Sequence, residues 1–402
     1  MNETKTFPLA DRIANLEESQ TIGMAQKARE LASQGIHVIS LSLGEPDFQT
    51  PDHIKEAAKK ALDDGYTRYS PVPGYPELRK AIVNKLKRDN GLDYKPENIV
   101  VSTGAKQSLF NVVMSLVNPG DEVVIFTPYW VSYLAMVQLA EGKAVEVSGS
   151  LENQFKVTPE QLEEAITSKT RLIMFSSPCN PTGSVFTRDE LKALADVVAR
   201  HEDVFVISDE IYEYINFSGN HASIAEFEEI KDRVIVVNGF AKGFAMTGWR
   251  LGYIAAPTWL AKACDKYQGQ VTSGANSMAQ RAGIVALEGD MQATKQMAEA
   301  YKRRRDLVLE LLKDVPGVKT YLPEGAFYLF PDISAFFGKR NGDQVIRNAD
   351  DMSMYLLNEA HVSTVPGEAF GNPNCIRMSF AASDEDLREA MRRIREALGK
   401  LS

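Results

Sequence analysis

Short, fully apolar strand patterns alternate with amphipathic helical patterns through the middle of this 402-residue chain. Strands are expected near Ile99 to Ser102, Glu122 to Phe126, Ala144 to Val147, Leu172 to Phe175, Val204 to Ile207 and Val234 to Val237. Helices are expected between them, near Gln107 to Val117, Val131 to Leu139 and Thr187 to His201. Strands without polar alternation are buried on both faces, as in parallel sheets covered by helices. The pattern therefore predicts an α/β fold with a mostly parallel central sheet and helices on both faces.

The pattern changes after about Glu288, where a long charged helix is predicted near Thr294 to Leu312. We expect a large domain over residues 46–290 and a smaller α+β domain formed by residues 1–45 and 291–402. Near the N-terminus, the sequence predicts a strand at Val38 to Leu43 and a helix capped by Thr50. Thr158 and Thr187 each begin a capping box of the S/T-x-x-E/Q type.

Composition and charge exclude several classes of protein. A formal net charge of -9 argues against a nucleic-acid partner, which requires a basic surface. Three widely spaced cysteines (Cys179, Cys264 and Cys375) predict no disulfide framework, and the five histidines lack the spacing of a metal site. No signal-like N-terminus or apolar run of membrane-spanning length is present, so we expect a cytoplasmic protein without a membrane partner.

Unusual residues occur where the predicted strands end, which is where parallel sheets bind ligands. Lys242 follows Val234 to Val237, and burial there lowers the pKa of a lysine and frees its amine as a nucleophile. Asp209 follows Val204 to Ile207, and it needs either a cationic partner or a role as a helix cap. Arg250, eight residues after Lys242, suits a phosphate or a carboxylate, because its planar fork offers paired donors.

The stretch from Asn238 to Tyr253, N-G-F-A-K-G-F-A-M-T-G-W-R-L-G-Y, resembles the lysine signature of class I aminotransferases of fold type I, which use pyridoxal 5'-phosphate. The resemblance runs from about Ile13 to the C-terminus. It implies that Lys242 is the Schiff-base lysine and moves a proton from the substrate α-carbon. It also implies contacts with the cofactor ring by Asp209 at the pyridine nitrogen, Tyr212 and Asn180 at the phenolic oxygen, and Trp130 by stacking. Taken singly, Tyr212 and Trp130 also fit core aromatics, and Asn180 fits a turn residue.

The same resemblance implies the phosphate and substrate contacts. The segment Ser102-Thr103-Gly104-Ala105-Lys106-Gln107 joins a strand to a helix, and amides at a helix start bind anions. Phosphate contacts are implied for Gly104, Ala105, Lys106, Arg250 and, from the neighbouring subunit of a homodimer, Tyr69. Contacts with the substrate are implied for Trp130 and Asn180, and contacts with its α-carboxylate for Arg377 and the backbone of Gly44. The chain departs from the family pattern at Cys179, where an asparagine is common, and at Gly239, where several relatives have serine.

Two short segments indicate the substrate. Gly104-Ala105-Lys106-Gln107 and Ser19-Gln20-Thr21 resemble motifs of the bacterial branch of aspartate aminotransferases, in which Lys106, Ser19 and Thr21 are expected to bind the distal carboxylate. Lys106 could instead only support the phosphate, and Ser19 could only cap the first helix. We expect ping-pong transfer of an amino group from an L-amino acid, aspartate above all, to 2-oxoglutarate. The alternatives are a broad-specificity aromatic, alanine or prephenate transaminase, or a pyridoxal-phosphate-dependent C–S or β-lyase on the same fold.

Overall fold

The structure is a computed structural model that describes residues 9–16, 20–219 and 221–402. Its helices are α1 (Asp11–Ala14), α2 (Gln20–Ser33), α3 (Asp52–Asp63), α4 (Pro76–Asn90), α5 (Ala105–Leu116), α6 (Ser132–Leu139), α7 (Pro159–Ala165), α8 (Arg188–Ala199), α9 (Thr258–Val271), α10 (Ser277–Glu288), α11 (Gln292–Leu312), α12 (Ala349–Tyr355) and α13 (Asp384–Gly399). Its strands are β1 (Ile39–Ser40), β2 (Ile99–Ser102), β3 (Glu122–Thr127), β4 (Lys143–Ser148), β5 (Thr170–Ser176), β6 (Phe205–Asp209), β7 (Val234–Gly239), β8 (Gly252–Ala255), β9 (Tyr328–Leu329), β10 (Arg340–Asn341), β11 (Gln344–Val345), β12 (Val362–Ser363), β13 (Val365–Pro366) and β14 (Ile376–Ser379).

Seven strands form the central sheet in the order β2-β8-β7-β6-β5-β3-β4. Strand β8 runs antiparallel to both of its neighbours, and the other pairs are parallel. Successive residues of β5 point into different cores: Leu172 and Met174 join one apolar cluster, whereas Ile173 and Phe175 join another. The sheet is therefore buried on both faces, as the fully apolar strand patterns predicted, and the predicted α/β class is confirmed.

A second layer, here called the C-terminal layer because most of its elements lie between Gln292 and Gly399, covers the carboxyl-end side of the central sheet. Strands β13, β14 and β9 form a small antiparallel sheet, and β1 pairs in parallel with β12. Apolar residues of β1, β9, β12 and β14 share a cluster with helices α11, α12 and α13, whereas Val365 of β13 belongs to a separate small cluster. Tyr212 and Ile215, which follow β6, belong to the first of these clusters. The C-terminal layer thus packs directly on the segment after β6 and reaches the ends of the central strands.

Local expectations were met at the capping boxes and missed near the N-terminus. Thr158 and Thr187 both cap helices with reciprocal hydrogen bonds. The predicted cap at Thr50 is wrong, because its hydroxyl donates to Ala245 O (2.6 Å) and accepts from Trp249 Nε1 (3.0 Å), and α3 begins without a side-chain cap. The predicted strand over Val38 to Leu43 is paired only as Ile39–Ser40.

All three cysteines are free and buried. Within the described ranges, no helix combines the length and the apolar character needed to cross a membrane.

Candidate active site

A cavity of about 400 Å³ opens at the carboxyl ends of the parallel strands. It lies between the central sheet and the C-terminal layer, and ten of the residues expected from the sequence line it: Gly44, Ala105, Lys106, Trp130, Asn180, Asp209, Tyr212, Lys242, Arg250 and Arg377. Gly104 lies directly behind Arg250. The topology therefore gathers into one place residues that are spread over more than 300 positions of the chain.

Lys242 follows β7 and extends across the cavity floor to donate a hydrogen bond to Gly44 O. Its ammonium nitrogen lies 5.5 Å from the centre of the Tyr212 ring and 5.6 Å from that of Phe327. Burial, together with the charge of Arg377, lowers the pKa of Lys242 to about 8. A lysine with such a pKa supplies a substantial fraction of neutral amine near neutral pH, which is what a nucleophile or a general base requires.

Asp209 is the last residue of β6, and its carboxylate is buried. Tyr133 Oη donates to Oδ2 at 2.7 Å, and the amide of Ile211 donates to Oδ1 at 3.2 Å. Both donors are neutral, and burial raises the pKa of Asp209 to about 6. A buried carboxylate held by neutral donors beside a cavity fits a cationic ligand group such as a protonated pyridine nitrogen.

Arg377 lies on the opposite wall, on β14, and is 2% exposed. Its Nη1 donates to Asn180 Oδ1 at 3.0 Å, and its Nη2 donates to Ser42 O at 2.7 Å. Among the described residues, none accepts a hydrogen bond from Arg377 Nε. Burial lowers the pKa of this guanidinium, and it is paired only with neutral acceptors here. Such a buried cation suits an anionic ligand, and a carboxylate matches its planar fork.

A cradle for a second anion lies at the start of α5. Gly104 has φ +82°, and a Cβ there would lie 2.5 Å from Arg250 Nη2. A Cβ at Gly252 would lie 2.3 Å from the amide nitrogen of Ala105. Only glycines allow this close approach, which brings Arg250 beside the first amides of the helix. Those amides have no acceptor within the helix, so together with the arginine they fit a phosphate.

Lys106 and Trp130 form the remaining wall. The Lys106 ammonium lies 4.9 Å from the centre of the Trp130 ring. Burial, followed by repulsion from Arg250, lowers the pKa of Lys106. The cavity therefore contains an aromatic surface and a cation in addition to Arg377 and Arg250.

Of three other expected residues, one lies away from the cavity and two are not described in full by the structure. Tyr69 is outside the cavity, and its side chain is 99% exposed. Ser19 lies outside the described residues, as does the side chain of Thr21.

The structure accounts for one departure from the family pattern, Gly239, and shows the surroundings of the other, Cys179. Gly239 pairs with Gly252 across two strands, and a Cβ at Gly239 would lie 2.9 Å from the Gly252 Cα. A serine at position 239 would therefore require the strands to move apart. Cys179 is buried, and its Sγ lies 3.6 Å from Pro128 O. Asn180 remains in place to contact Arg377.

Sequence reasoning missed two tyrosines of this site. Tyr133 lies one helical turn after Trp130 within a predicted amphipathic helix, and in the structure its hydroxyl donates to Asp209 Oδ2. Tyr328 lies in an apolar stretch, Ala326 to Phe330, that carries no mark of a functional residue, yet its hydroxyl is 2.7 Å from that of Tyr212 and it lines the cavity. The helical spacing from Trp130 was an available signal for Tyr133, whereas nothing near Tyr328 in the sequence indicated its neighbour.

A buried ion cluster lies behind Asp209, on the other side of the turn that follows β6. Glu210 accepts from Ser208 Oγ at 3.0 Å and lies 2.9 Å from His221 Nε2. Glu213 forms an ion pair with Lys85, and both side chains are nearly inaccessible, 3% and 1% exposed. The ligand atoms of Glu210, Glu213 and His221 lie within 4.8 Å of one another, a spacing that a metal ion could use. The Lys85 ammonium already supplies a cation to this cluster.

Comparison with known proteins places these features in a family. The model of the family "Aminotransferase class I and II" matches residues 36–394. An aspartate/prephenate aminotransferase of Cereibacter sphaeroides is 47% identical over 397 residues, which cover 98% of this chain and 99% of the relative. An aspartate aminotransferase of Geobacillus stearothermophilus is 44% identical, with 96% and 98% covered.

Solved structures agree with this assignment. The aspartate aminotransferase of Rhizobium meliloti superposes with a TM-score of 0.95 at 42% identity, with 99% of this chain and all of that chain covered. That of Thermus thermophilus with maleate gives a TM-score of 0.92 at 40% identity, with 98% and 100% covered. The buried carboxylate, the lysine of lowered pKa and the anion cradle fit the ring nitrogen, aldehyde and phosphate of pyridoxal phosphate. The chain therefore belongs to the class I and II aminotransferase family, and it is a pyridoxal-phosphate-dependent transaminase whose substrates are amino acids and oxo acids.

Proposed function

We propose that this transaminase transfers the amino group of L-aspartate to 2-oxoglutarate. The observation that carries the proposal is that one cavity holds two cations, Arg377 and Lys106, in addition to the Arg250 beside the anion cradle. A dicarboxylic substrate has one carboxylate for each of the two. The names of the relatives support this choice, as does the dicarboxylate maleate named with the Thermus thermophilus structure.

The residues around the cavity have distinct roles toward the cofactor. Bound pyridoxal phosphate supplies an aldehyde that bonds covalently to amines and a pyridine ring that withdraws electrons from the substrate α-carbon. Lys242 is the amine that holds the aldehyde, and the Asp209 carboxylate keeps the ring nitrogen protonated. Tyr212 and Asn180 donate to the phenolic oxygen, and Trp130 packs on the ring. The phosphate is bound by Arg250 and by the backbone at Gly104, Ala105 and Lys106.

Lys242 also moves the proton on which the reaction depends. With the cofactor and a substrate bound, the neutral Lys242 amine would take the proton from the substrate α-carbon as a general base and deliver it to the cofactor carbon that had carried the aldehyde. The lowered pKa, about 8, keeps enough of the amine unprotonated for this step. Tyr133 supports the reaction indirectly, because its hydrogen bond fixes the Asp209 carboxylate in place.

Arg377 and Lys106 each bind one of the two carboxylates of the substrate. Arg377 binds the α-carboxylate through its fork, and Asn180 and the backbone of Gly44 lie beside it. Lys106 binds the distal carboxylate, and the hydroxyls of Ser19 and Thr21 are proposed to bind it as well when the small domain shuts. A lysine is a flexible point charge and selects less sharply than an arginine fork. We therefore also propose prephenate as a slower amino acceptor, in line with the name of the Cereibacter sphaeroides relative.

We also propose that the protein is a cytoplasmic homodimer in which Tyr69 contributes to the phosphate site of the neighbouring subunit. The side chain of Tyr69 is 99% exposed, which is unusual for a large aromatic residue, and Val271, at the end of α9, is 56% exposed. Within each subunit, residues 46–290 and residues 1–45 with 291–402 act as two domains that close over the substrate. Light scattering that finds an active monomer at assay concentration contradicts the shared site.

The test compares kcat/KM for aspartate, alanine and phenylalanine with 2-oxoglutarate, in wild type and in Lys106→Ala. Hydrogen bonds to charged groups contribute about 1.5–3 kcal/mol, so the variant should lose roughly 10- to 150-fold of its preference for aspartate over alanine. Lys313→Ala removes an exposed lysine directly after α11 and should leave this preference unchanged. An unchanged preference in Lys106→Ala refutes the recognition scheme, and failure to form glutamate refutes 2-oxoglutarate as the amino acceptor.

A further inference from the structure

A second tyrosine is hydrogen-bonded to the tyrosine expected at the cofactor's phenolic oxygen. We propose that Tyr328 is a positioning residue: its hydroxyl donates to the Tyr212 oxygen and so directs the Tyr212 proton toward the phenolic oxygen of the cofactor. The two hydroxyl oxygens lie 2.7 Å apart, and both tyrosines line the cavity. The inference rests on the role proposed above for Tyr212.

The Tyr328 ring is held firmly enough for such a role. It belongs to β9 and pairs with Ser379 of β14, two residues after Arg377. The Arg377 guanidinium carbon lies 4.5 Å from the centre of its ring, and the Tyr212 ring packs edge-on at 5.9 Å. A Cβ at Gly44 would lie 2.7 Å from the Tyr328 hydroxyl, so the glycine provides the space that the hydroxyl occupies. Tyr328 is fully buried.

The number of available protons favours one direction for the hydrogen bond. Each phenol has a single proton, and burial raises the pKa of both Tyr212 and Tyr328, so neither ionises near neutral pH. If Tyr212 donated to Tyr328, it would have no proton left for a ligand in the cavity. If Tyr328 donates, the Tyr212 proton is free, and the two hydrogen bonds strengthen one another as a chain. A ligand oxygen in front of Tyr212 therefore selects the second arrangement.

The alternative role for Tyr328 is packing alone, in which the ring supports Arg377 and the hydroxyl is incidental. Tyr328→Phe separates the two roles, because it keeps the ring on Arg377 and removes only the hydroxyl. Tyr301→Phe is the matched control, since Tyr301 is a buried tyrosine of the same apolar cluster that does not line the cavity.

The experiment is a pH titration of the absorption band of the bound cofactor in the purified holoenzyme. A donor at the phenolic oxygen stabilises its ionised form and lowers the pH at which the band changes. Hydrogen-bond chains strengthen each bond by about 10–30%, and this fraction of the contribution of a hydrogen bond to a charged oxygen corresponds to a rise of roughly 0.1–0.7 pH unit in Tyr328→Phe. Tyr212→Phe should raise it further, and Tyr301→Phe should leave it unchanged.

A double variant decides whether Tyr328 acts through Tyr212. In Tyr212→Phe, the additional change Tyr328→Phe should produce no further shift of the titration, and KM for aspartate should differ little between Tyr328→Phe and wild type. An unmoved titration in Tyr328→Phe, or a further shift in the double variant, overturns the inference. An enzyme that shows the expected shifts but prefers alanine to aspartate would instead contradict the proposed substrate and leave the role of Tyr328 standing.

Discussion

Replacing Lys85 by methionine tests how far the turn that carries Asp209 and Tyr212 depends on the ion cluster behind it. Lys85 on α4 pairs with Glu213 at the end of that turn, and the two side chains are 1% and 3% exposed. Methionine keeps most of the apolar stem, so the change is mainly one of charge. It leaves the Glu213 carboxylate with Asn90 Nδ2, at 3.2 Å, as its hydrogen-bond donor.

The expected cost follows from this burial. Breaking a buried ion pair by removing one partner costs about 3–5 kcal/mol, and Coulomb attraction at 4 Å with an effective dielectric constant near 20 is about 4 kcal/mol. We therefore expect Lys85→Met to lose roughly 3–5 kcal/mol of unfolding free energy. Lys313→Met removes a pair with Glu310 in which both side chains are 70% exposed, and such pairs contribute about 0–1 kcal/mol.

The loss should also depend on pH, because His221 belongs to the same cluster. Burial lowers the pKa of His221, but the Glu210 carboxylate outweighs this effect and the net shift is upward. Its stabilising contribution is complete below the unfolded pKa of about 6.5 and is lost as the pH rises through the folded value. Protonated His221 partly replaces the missing Lys85 charge, so the cost of Lys85→Met should be larger at high pH than at low pH.

The assay is equilibrium urea unfolding of wild type, Lys85→Met, Lys313→Met and the double variant Lys85→Met/Glu213→Gln, followed by circular dichroism at several pH values. Lys85→Met/Glu213→Gln should recover part of the loss, because it removes the stranded charge. A cost below about 1 kcal/mol, or a double variant no more stable than Lys85→Met, would refute the view that this pair holds the turn.

Three further predictions concern the chemistry of the cavity. Lys242→Ala should abolish turnover, and borohydride should fix the cofactor covalently to wild type but not to this variant; near-normal transamination there contradicts the assignment of Lys242. The rate at which the apoprotein takes up pyridoxal phosphate should rise with pH through about 8, because the neutral Lys242 amine is the nucleophile. Stopped-flow absorbance measures this rate. A midpoint of the pH dependence near the pKa of free lysine would contradict the argument that burial lowers the pKa of Lys242. Asp209→Ala should fold normally but lower kcat about 100- to 1000-fold, as loss of a preorganised charge does elsewhere; a rate within a few-fold of wild type would mean that Asp209 is only structural.

The sequence predicts the fold class and most of the cavity for a clear physical reason. Apolar strands buried on both faces have a distinctive pattern, and the residues that follow them must gather at one edge of a parallel sheet. Asp209, Asn180 and Lys242 all follow such strands, and the structure places them around one cavity. Their roles remain predictions that the experiments above address.

The features that the sequence did not predict depend on contacts between residues that are far apart along the chain. Thr50 has the residue type of a helix cap, but its hydroxyl forms hydrogen bonds with Ala245 and Trp249, about 200 residues later, instead. The pairing of Tyr328 with Tyr212 likewise joins positions 116 residues apart, and it depends on how the small antiparallel sheet packs on the turn after β6. Propensity and periodicity describe neighbours along the chain and carry no information about such partners.

The direction of β8 determines how the cofactor site is assembled from the chain. Lys242 follows β7 and Arg250 precedes β8, and because these strands are antiparallel, with Gly239 opposite Gly252, the connecting segment starts and ends at the same edge of the sheet. A parallel crossover would have needed a helix and would have delivered Arg250 to the far edge. The loop between the two residues is short, so closing it costs little chain entropy. The short segment that carries Lys242 and Arg250 is therefore locally encoded and can form early in folding. The rest of the cofactor site needs Gly104 and Asp209 from other strand ends, and the half that selects substrates awaits Arg377, 135 residues after Lys242.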